Sequence, residues 1–586
     1  MRTPETPPDP DNDAPPGDTP IATRSETRRK RNAIWRLSLL LVALTFIAYQ
    51  PAWHAGFIWD DDQHVTKNSL LTAPDGFKLI WFSPPRNDSY FPMVNTTLWF
   101  EHTLWGVNPS GYHCVNILLH SLNALLVWAV LARLALPGAW LAAAIWAVHP
   151  VNVESVAWIT ELKNTQSTLF YLLTLLAWMK FTEAGTVRRW RFYVLALLLY
   201  GPALFTKTTT CTLPAALLLV LWLRNERIDG RRLCQIVPGV CYAIITGLLT
   251  VWCEVYLGGY REAARQSPGG LARLLIAAHA LWFYVAKLAW PTKLTFSYPR
   301  WEINLCDPLQ YGWLIACVVV AVLLVWRRHA IGRGPIAAVV FFVATLSLLL
   351  GFVPVYTFRF SFVADHYQYL ASIGLVALFA AVASRQADSW QLGRDARCAL
   401  STSLLIVLGA LTWKQAGVYR DAETLWRDTL AKNPACWLAH NNWGLLLEHR
   451  GEASAAEEQY RQALQIYPDD IKARVNLGNA LARQGKASEA IEQYREALRI
   501  KPDHARAHIN LGNVLLLQGN VRDAIEHYDD ALRIDPHSAE AHLNLGVALE
   551  QTGQTSEAVR QYEIALRLAP DLTTASNALA RLREGQ

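Results

Sequence analysis

Three carboxylates stand side by side at Asp60-Asp61-Asp62, directly after Gly56-Phe57-Ile58-Trp59 and just beyond the first long apolar stretch of the chain. Adjacent carboxylates repel one another, so at least one holds its proton to unusually high pH unless a cation or a hydrogen-bond network stands beside it. Ionisable groups at a membrane boundary, among aromatic side chains, are costly to bury and mark a site more often than a solvated loop. Other polar groups recur in later loops: His149-Pro150-Val151-Asn152-Val153-Glu154, then Glu161-Leu162-Lys163-Asn164, then Lys207, and last Arg359 with Asp365-His366-Tyr367. At helical spacing Glu154, Trp158 and Glu161 would share one face. Singly, each group could anchor the end of a span. Carboxylates, Lys, Arg and His drawn from four loops on one side read as a catalytic face.

The elements that must position these groups are membrane spans. Of 586 residues, 52% are hydrophobic and 17% charged, well below the roughly 25% charge of soluble domains. A span needs about 20 apolar residues, and such stretches lie near 34–50, 114–134, 139–149, 165–180, 192–206, 209–223, 234–254, 271–290, 311–326, 335–353, 369–384 and 397–413. The stretch 139–149 is short and ends at Pro150, which disfavours helix just before it, so it must borrow residues beyond that proline or tilt. Residues 1–33, rich in Pro and Asp and ending in a basic cluster, read as a disordered cytoplasmic tail. Short Lys/Arg-rich loops mark the cytoplasmic side: Arg133, Lys180 to Arg191, Arg224 to Arg232, Arg327 to Arg333 and Arg385 to Arg397. The loop 51–111, whose Lys67, Lys78 and Arg86 are outnumbered by acids, faces outward. Keeping every basic loop inside requires one stretch not to cross. The choice falls on 271–290, whose Arg273, His279 and Lys287 gather on one side as in an interfacial helix. About eleven spans over 34–413 result, with the N-terminus cytoplasmic and the C-terminal part outside the inner (cytoplasmic) membrane. The net charge of +6 then reports topology, and no nucleic-acid partner is expected. The nine Cys are scattered and no His cluster stands at metal spacing, so neither a disulfide framework nor a zinc site is expected.

Residues 437–572 repeat every 34 residues: Gly444, Gly478, Gly512 and Gly546; Tyr460, Tyr494, Tyr528 and Tyr562; Pro468, Pro502, Pro536 and Pro570. This is the tetratricopeptide period, in which each helix hairpin buries its apolar face by stacking on its neighbours. Four repeats are expected, joined to the last span by a degenerate helical junction over 414–436 and closed by a capping helix over 573–586. One amide per repeat, at Asn442, Asn476, Asn510 and Asn544, falls on the first helix toward the concave groove. An amide donates and accepts together, so these could bind the backbone of an extended acceptor peptide; the alternative is a bond to the neighbouring repeat's backbone. The fold class is therefore all-α, a polytopic membrane domain followed by an α-solenoid.

The run FIWDDD, YFPM, GYHCVNILLH, HPVNVESVAWITELKN, FTKTTTCTLPAALLL and FVADHYQYLASIGL, followed by these repeats, resembles the bacterial relatives of the transmembrane and tetratricopeptide repeat-containing O-mannosyltransferases, within the C superfamily of membrane glycosyltransferases. The resemblance implies an active site on the non-cytoplasmic face, a sugar such as mannose supplied on a polyprenyl phosphate, and a Ser or Thr hydroxyl of an exported protein as acceptor. The family's acidic motif falls on Asp60 and Asp61. Asn152 stands where many relatives have His, and the ELKN segment also departs from the family pattern.

Such chemistry needs a general base, assigned to Asp60 or Asp61, and cations facing the leaving phosphate, assigned to Arg359, His366, Lys207 and Lys163. His149, Glu154, Glu161 and Asp365 complete the outer face. A monophosphate donor requires no cofactor, whereas a diphosphate donor would let the paired Asp hold Mg²⁺ or Mn²⁺. The competing class is a membrane-anchored scaffold whose repeats recruit partners. One or two spans would anchor it, and eleven with polar motifs on one face exceed that need. A transporter would carry its charges in mid-span, whereas these cluster at span ends.

Overall fold

The structure, a computed structural model, describes residues 24–83, 90–183, 189–256, 268–353 and 356–584. Most of the expected N-terminal tail, Arg86, and part of the basic loop between Lys180 and Arg191 lie outside the described residues. Every regular element among the described residues is helical. The first helix, Arg24–Ala48, starts inside the expected tail, because Arg, Lys and Glu are good helix formers that extend a helix the apolar span has already nucleated.

Among the described residues, six helices are long and apolar enough to cross a membrane: Arg31–Ala48, Pro109–Arg133, Gly230–Cys253, Gly270–Ala289, Pro308–Trp326 and Arg394–Tyr419. Three shorter apolar helices, Trp190–Thr206, Thr208–Leu223 and Arg333–Leu349, accompany them. The chain is a multi-pass membrane protein. Side chains such as Ile315, Val318, Val322 and Val325 are exposed, as lipid-facing positions are, since hydrocarbon makes no demand that they be buried. Gly270–Ala289, expected at the interface, meets the length and composition of a span.

The stretch after Gly138 does not continue as helix beyond Pro150. Its helix runs only Ala139–Ala147, about 14 Å at 1.5 Å per residue, and Ala143 through Ala147 are buried. The chain then breaks into the short turns Pro150–Asn152, Val153–Ala157 and Ile159–Glu161 before the long helix Leu162–Thr182. Irregular backbone is tolerated at such depth only where protein or a polar cavity surrounds it. Here Asn152 Nδ2 donates to Trp146 O at 2.7 Å, and Thr412 Oγ1 donates to Val148 O at 2.7 Å. Trp158 is extended, with φ −91° and ψ 121°. Glu154 and Glu161 therefore do not share one helical face as their spacing predicts; the break turns them separately toward a common neighbour.

The last span, Arg394–Ala416, passes through Gly417–Tyr419 into Ala422–Lys432. Four helix pairs follow: Trp437–His449 with Ala453–Ile466, Ile471–Arg483 with Ala487–Ile500, Ala505–Leu517 with Val521–Ile534, and Ala539–Gln551 with Thr555–Leu568. Thr573–Glu584 packs on the last pair. The recurring Gly and Tyr are one device. A Cβ added at Gly478 would stand 2.4 Å from the Tyr494 ring, and at Gly444, Gly512 and Gly546 the clash with the next Tyr is 2.6 to 2.7 Å. Each Tyr can lie flat against its partner helix only because the glycine has no side chain.

The junction is pinned to the membrane domain. Lys432 Nζ donates to Leu294 O at 2.7 Å and Asn433 Nδ2 to Ser297 O at 3.0 Å. Phe296 meets Trp426 edge-on at 5.4 Å, and Gly56 N–H donates to Arg420 O at 2.8 Å. Because the repeats rely on these glycines, Gly478→Ala should destabilise the solenoid by about 1–3 kcal/mol through overpacking. A melt of the detergent-solubilised chain, read by protease resistance of the C-terminal part, should show an earlier transition; an unchanged transition would mean that Tyr494 moves freely aside.

Candidate active site

Five segments converge at one end of the membrane domain: the turn Trp59–Asp62, the broken stretch 150–161, the start of Leu162–Thr182, Lys207 at the end of Trp190–Thr206, and the 3₁₀ turn Asp365–Gln368.

The three aspartates have different surroundings. Asp61 is fully buried, and its two carboxylate oxygens accept the N–H groups of Ile58 at 2.9 Å and Thr160 at 3.0 Å. Burial and the neighbouring Asp60 push its pKa well up. Asp60 is about a quarter exposed; it accepts from Thr160 Oγ1 at 2.9 Å and lies 3.8 Å from His64 Nε2. Burial also raises its pKa, opposed by Lys163, His64 and the Thr160 hydroxyl. Asp62 faces outward, accepting from Thr66 Oγ1 at 2.9 Å and pairing with Lys67 at 3.2 Å. Asp61 thus ties two loops together, Asp60 is the member open to a reactant, and Asp62 belongs to the surface. Each Asp61 oxygen already accepts a backbone N–H, so of the two neighbouring carboxylates Asp60 is the less committed.

Trp59, just before Asp60, has φ +45°, a left-handed conformation that costs a non-glycine residue about 1–3 kcal/mol and persists where surroundings enforce it. Its ring lies 5.4 Å from Trp158, 5.1 Å from Phe296 and 6.2 Å from Phe360. This aromatic wall borders Asp60.

Behind the wall is a buried charge network centred on Glu161. Lys163 Nζ lies 2.7 Å from Glu161 Oε1, and His366 Nε2 lies 3.9 Å from it. Asn164 donates to Glu161 Oε2 and accepts from Lys207 Nζ through its carbonyl oxygen. Burial alone would raise the Glu161 pKa, but His366, Lys163 and Lys207 together hold it at about 2. Glu154 braces His366 from the other side, with Oε1 3.0 Å from Nδ1 and Oε2 accepting the His366 backbone N–H at 3.0 Å. Lys207 is only half-buried by its side-chain exposure, yet burial pushes its pKa down to about 8, with Lys163 adding to the shift and Glu161 opposing it. Asp365 accepts the Tyr298 hydroxyl on both oxygens at 3.0 Å, and burial together with Glu154 pushes its pKa well up.

Glu154, Glu161, Lys163, Lys207, Asp365 and His366 therefore share one network, and Thr160 links it to Asp60. Two expected members stand apart from it. His149 uses its ring on backbone, with Nε2 3.1 Å from Leu288 O and Nδ1 accepting from Val151 N–H at 3.4 Å, so it fastens two helix ends. Arg359 stacks on Phe360 and Trp437, 5.1 Å from each ring, and its charge acts on Asp470 of the solenoid. It stands at the seam between the two domains.

Thr160, Asn164, Tyr298 and Phe296 also build the site. Asn164 was visible in the ELKN segment; Thr160, Tyr298 and Phe296 carry no spacing signal, because distant loops bring them in. In the solenoid, Asn476 donates to Asn441 Oδ1 at 2.9 Å, Asn510 to Asn479 Oδ1 at 2.8 Å and Asn544 to Asn513 Oδ1 at 2.9 Å, while Asn442 donates to Leu438 O. Three of the four amides thus bond the preceding repeat, through its side chains and not its backbone. No His cluster stands at metal spacing along the chain, but folding brings the side chains of His508, His527 and Asp530 together, with a nitrogen or carboxylate oxygen of each within 4.8 Å of the others. They lie on two helices, so chain spacing hides them.

A family model described as dolichyl-phosphate-mannose-protein mannosyltransferase matches residues 85–256, which hold Glu154, Glu161, Lys163 and Lys207. Tetratricopeptide-repeat models match 435–503, 475–539 and 518–573. The chain is 24% identical over 476 residues to Protein O-mannosyl-transferase F38B6.6 of Caenorhabditis elegans, covering 76% of this chain and 64% of that protein. It is 30% identical over 182 residues to Protein O-mannosyl-transferase Tmtc1 of Drosophila melanogaster, covering 29% and 21%. Protein O-mannosyl-transferase TMTC1 of Homo sapiens is 25% identical over 435 residues, covering 65% and 48%. The chain spans less than two thirds of the length of these relatives. Among solved structures, the crystal structure of TTC0263, a thermophilic TPR protein in Thermus thermophilus, is 24% identical with a TM-score of 0.25, covering 30% of this chain and 95% of that one. The chain thus joins a membrane domain carrying a dolichyl-phosphate-mannose-protein mannosyltransferase match to tetratricopeptide repeats, and is similar over as much as three quarters of its length to the protein O-mannosyl-transferases.

Proposed function

We propose that this protein transfers a hexose, mannose by analogy with its relatives, from a polyprenyl-phosphate carrier to Ser or Thr hydroxyls of exported proteins on the outer side of the inner membrane. The observation that carries the reading is the arrangement of Asp60 beside a buried cluster in which Lys207, Lys163 and His366 surround Glu161. A partly exposed carboxylate with a raised pKa is suited to take a proton from a hydroxyl. Cations pre-positioned at the end of a span are suited to meet a lipid-borne phosphate, whose charge grows as it leaves.

In the proposed step the acceptor hydroxyl oxygen attacks the anomeric carbon. The new C–O bond forms as the bond from that carbon to the phosphate oxygen breaks, and the electron pair departs with the phosphate. Asp60 receives the hydroxyl proton. Lys207, nearest the span end, meets the phosphate, while Glu161 and Asn164 hold Lys163 and Lys207 in position. A single displacement inverts the anomeric centre. Arg359 stands where the acceptor would pass from the solenoid, and the groove amides Asn442, Asn476, Asn510 and Asn544 would hold the acceptor peptide by the hydrogen-bonding capacity that their existing bonds do not use. The solenoid then lies on the periplasmic side and the N-terminus in the cytoplasm.

Asp60→Asn should lower transfer by purified protein about 10²–10⁴-fold without shifting its melting point, whereas Asp61→Asn should cost about 1–3 kcal/mol of stability by setting an NH₂ group against a buried N–H. An active Asp60→Asn protein would overturn the base assignment. Lys207 is an ammonium below about pH 8 and neutral above it, so kcat/KM for the lipid donor should fall as pH rises past about 8. Lys207→Arg keeps its charge and should move that fall to higher pH; an identical alkaline limb in both proteins would remove Lys207 from phosphate binding.

A further inference from the structure

The four repeats share a second device. A side chain on the first helix of each, at His440, Arg474, His508 and His542, reaches back to the carbonyl of the proline six residues earlier and across to a residue nineteen positions later on the second helix. In three repeats that partner is Gln: Gln459 lies 2.8 Å from His440 Nδ1, Gln493 lies 3.3 Å from an Arg474 nitrogen, and Gln561 lies 2.6 Å from His542 Nδ1. A glutamine amide can turn to offer whichever of donor or acceptor its partner lacks.

The third repeat breaks the pattern. His527 replaces the glutamine, and its Nδ1 lies 3.1 Å from His508 Nδ1. His508 Nε2 lies 3.0 Å from Pro502 O, a contact that requires the proton on Nε2 and leaves Nδ1 of the neutral ring with a lone pair turned toward His527. A carbonyl on the far nitrogen is the arrangement that fixes ligating histidines. One turn beyond His527, Asp530 joins the pair: its Oδ2 lies 3.8 Å from His508 Nδ1 while its Oδ1 is held by Arg533 at 2.7 Å. The corresponding positions in the other repeats are Gln462, Glu496 and Ile564, so only the third repeat has two imidazoles and a carboxylate together. Two Zn–N bonds of about 2.0–2.1 Å at a tetrahedral angle set their nitrogens about 3.4 Å apart, close to the separation found.

We infer that His508, His527 and Asp530 form a divalent metal site of the Zn²⁺ class on the solenoid. Two imidazoles and one carboxylate suit Zn²⁺ and its borderline neighbours and not Mg²⁺, which prefers an all-oxygen shell. Three protein ligands leave a fourth position for water or for a side chain of whatever lies on this face. The site is far in sequence from the proposed chemistry, and its metal would clamp the two helices of the third repeat.

His527→Gln tests this cleanly, because it restores the residue that the other three repeats carry and so preserves the fold. Untagged full-length protein in detergent, freed of metal, is titrated with Zn²⁺ and separately with Mg²⁺ by calorimetry. The wild type should take up Zn²⁺ but not Mg²⁺, with affinity at least tenfold above that of His527→Gln, and Zn²⁺ should raise the melting temperature of the solenoid only in the wild type. Co²⁺ substituted for Zn²⁺ should give the visible absorption of a four-coordinate site, lost in His527→Gln. Equal Zn²⁺ affinity in the two proteins, or no Zn²⁺ uptake by the wild type, would reduce His508 and His527 to a plain hydrogen-bonded pair and overturn the proposal.

Discussion

Glu161 is a buried carboxylate whose charge is balanced by groups from three separate segments: Lys163 at the start of the helix that follows its turn, Lys207 at the end of another, and His366 from a late turn. An isolated charge at that depth would be prohibitively costly, and removing one partner of a buried pair costs about 3–5 kcal/mol because the other is left uncompensated. The segments can therefore hardly separate without exposing a bare charge to an apolar interior. The same electrostatic need that stabilises this end of the bundle also collects its cations. Glu154 extends the constraint by bracing His366, and Thr160 carries it to Asp60 and Asp61.

Collecting these groups required broken helices. A continuous span through 139–161 would have placed Glu154 and Glu161 along one stripe, whereas the short helix Ala139–Ala147 and the extended Trp158 turn them inward at different levels. The aromatic residues then perform two tasks. Trp59 and Trp158 wall the carboxylates, and Phe296 stands between Trp59 and Trp426, so one ring touches both the site and the root of the solenoid. The helical repeats are thereby held at a set position relative to Asp60, and Arg359 occupies the seam between them.

Much of this was legible in the chain itself. The acidic triplet, ELKN, Lys207 and DHY announced themselves as polar groups at span ends, and four of the loops that carry them do meet. The 34-residue period identified the solenoid, and the glycine and tyrosine positions proved to be halves of one contact. What the chain concealed depends on pairings between distant positions. Nothing in the spacing of Thr160 distinguishes it from any other threonine, yet it links the paired aspartates to the Glu161 network. His149 was expected on the outer face with the other polar groups; its ring nitrogen meets a backbone carbonyl, Leu288 O, nearly 140 positions away, and fastens two helix ends. His508 and His527 become neighbours only once the hairpin has folded. Residue type and periodicity reveal elements and charges; which charges meet is decided by packing.

The most direct measurement supplies purified wild-type protein with a polyprenyl-phosphate hexose and a threonine-containing peptide, then determines both the mass of the peptide product and the configuration at its anomeric carbon by NMR. A one-hexose increment on the hydroxyl, with the configuration inverted relative to the donor, is the result predicted by one carboxylate base facing a cation-held phosphate. A product that retains the donor configuration, or the absence of any product under conditions where the protein is folded and donor-bound, would contradict it.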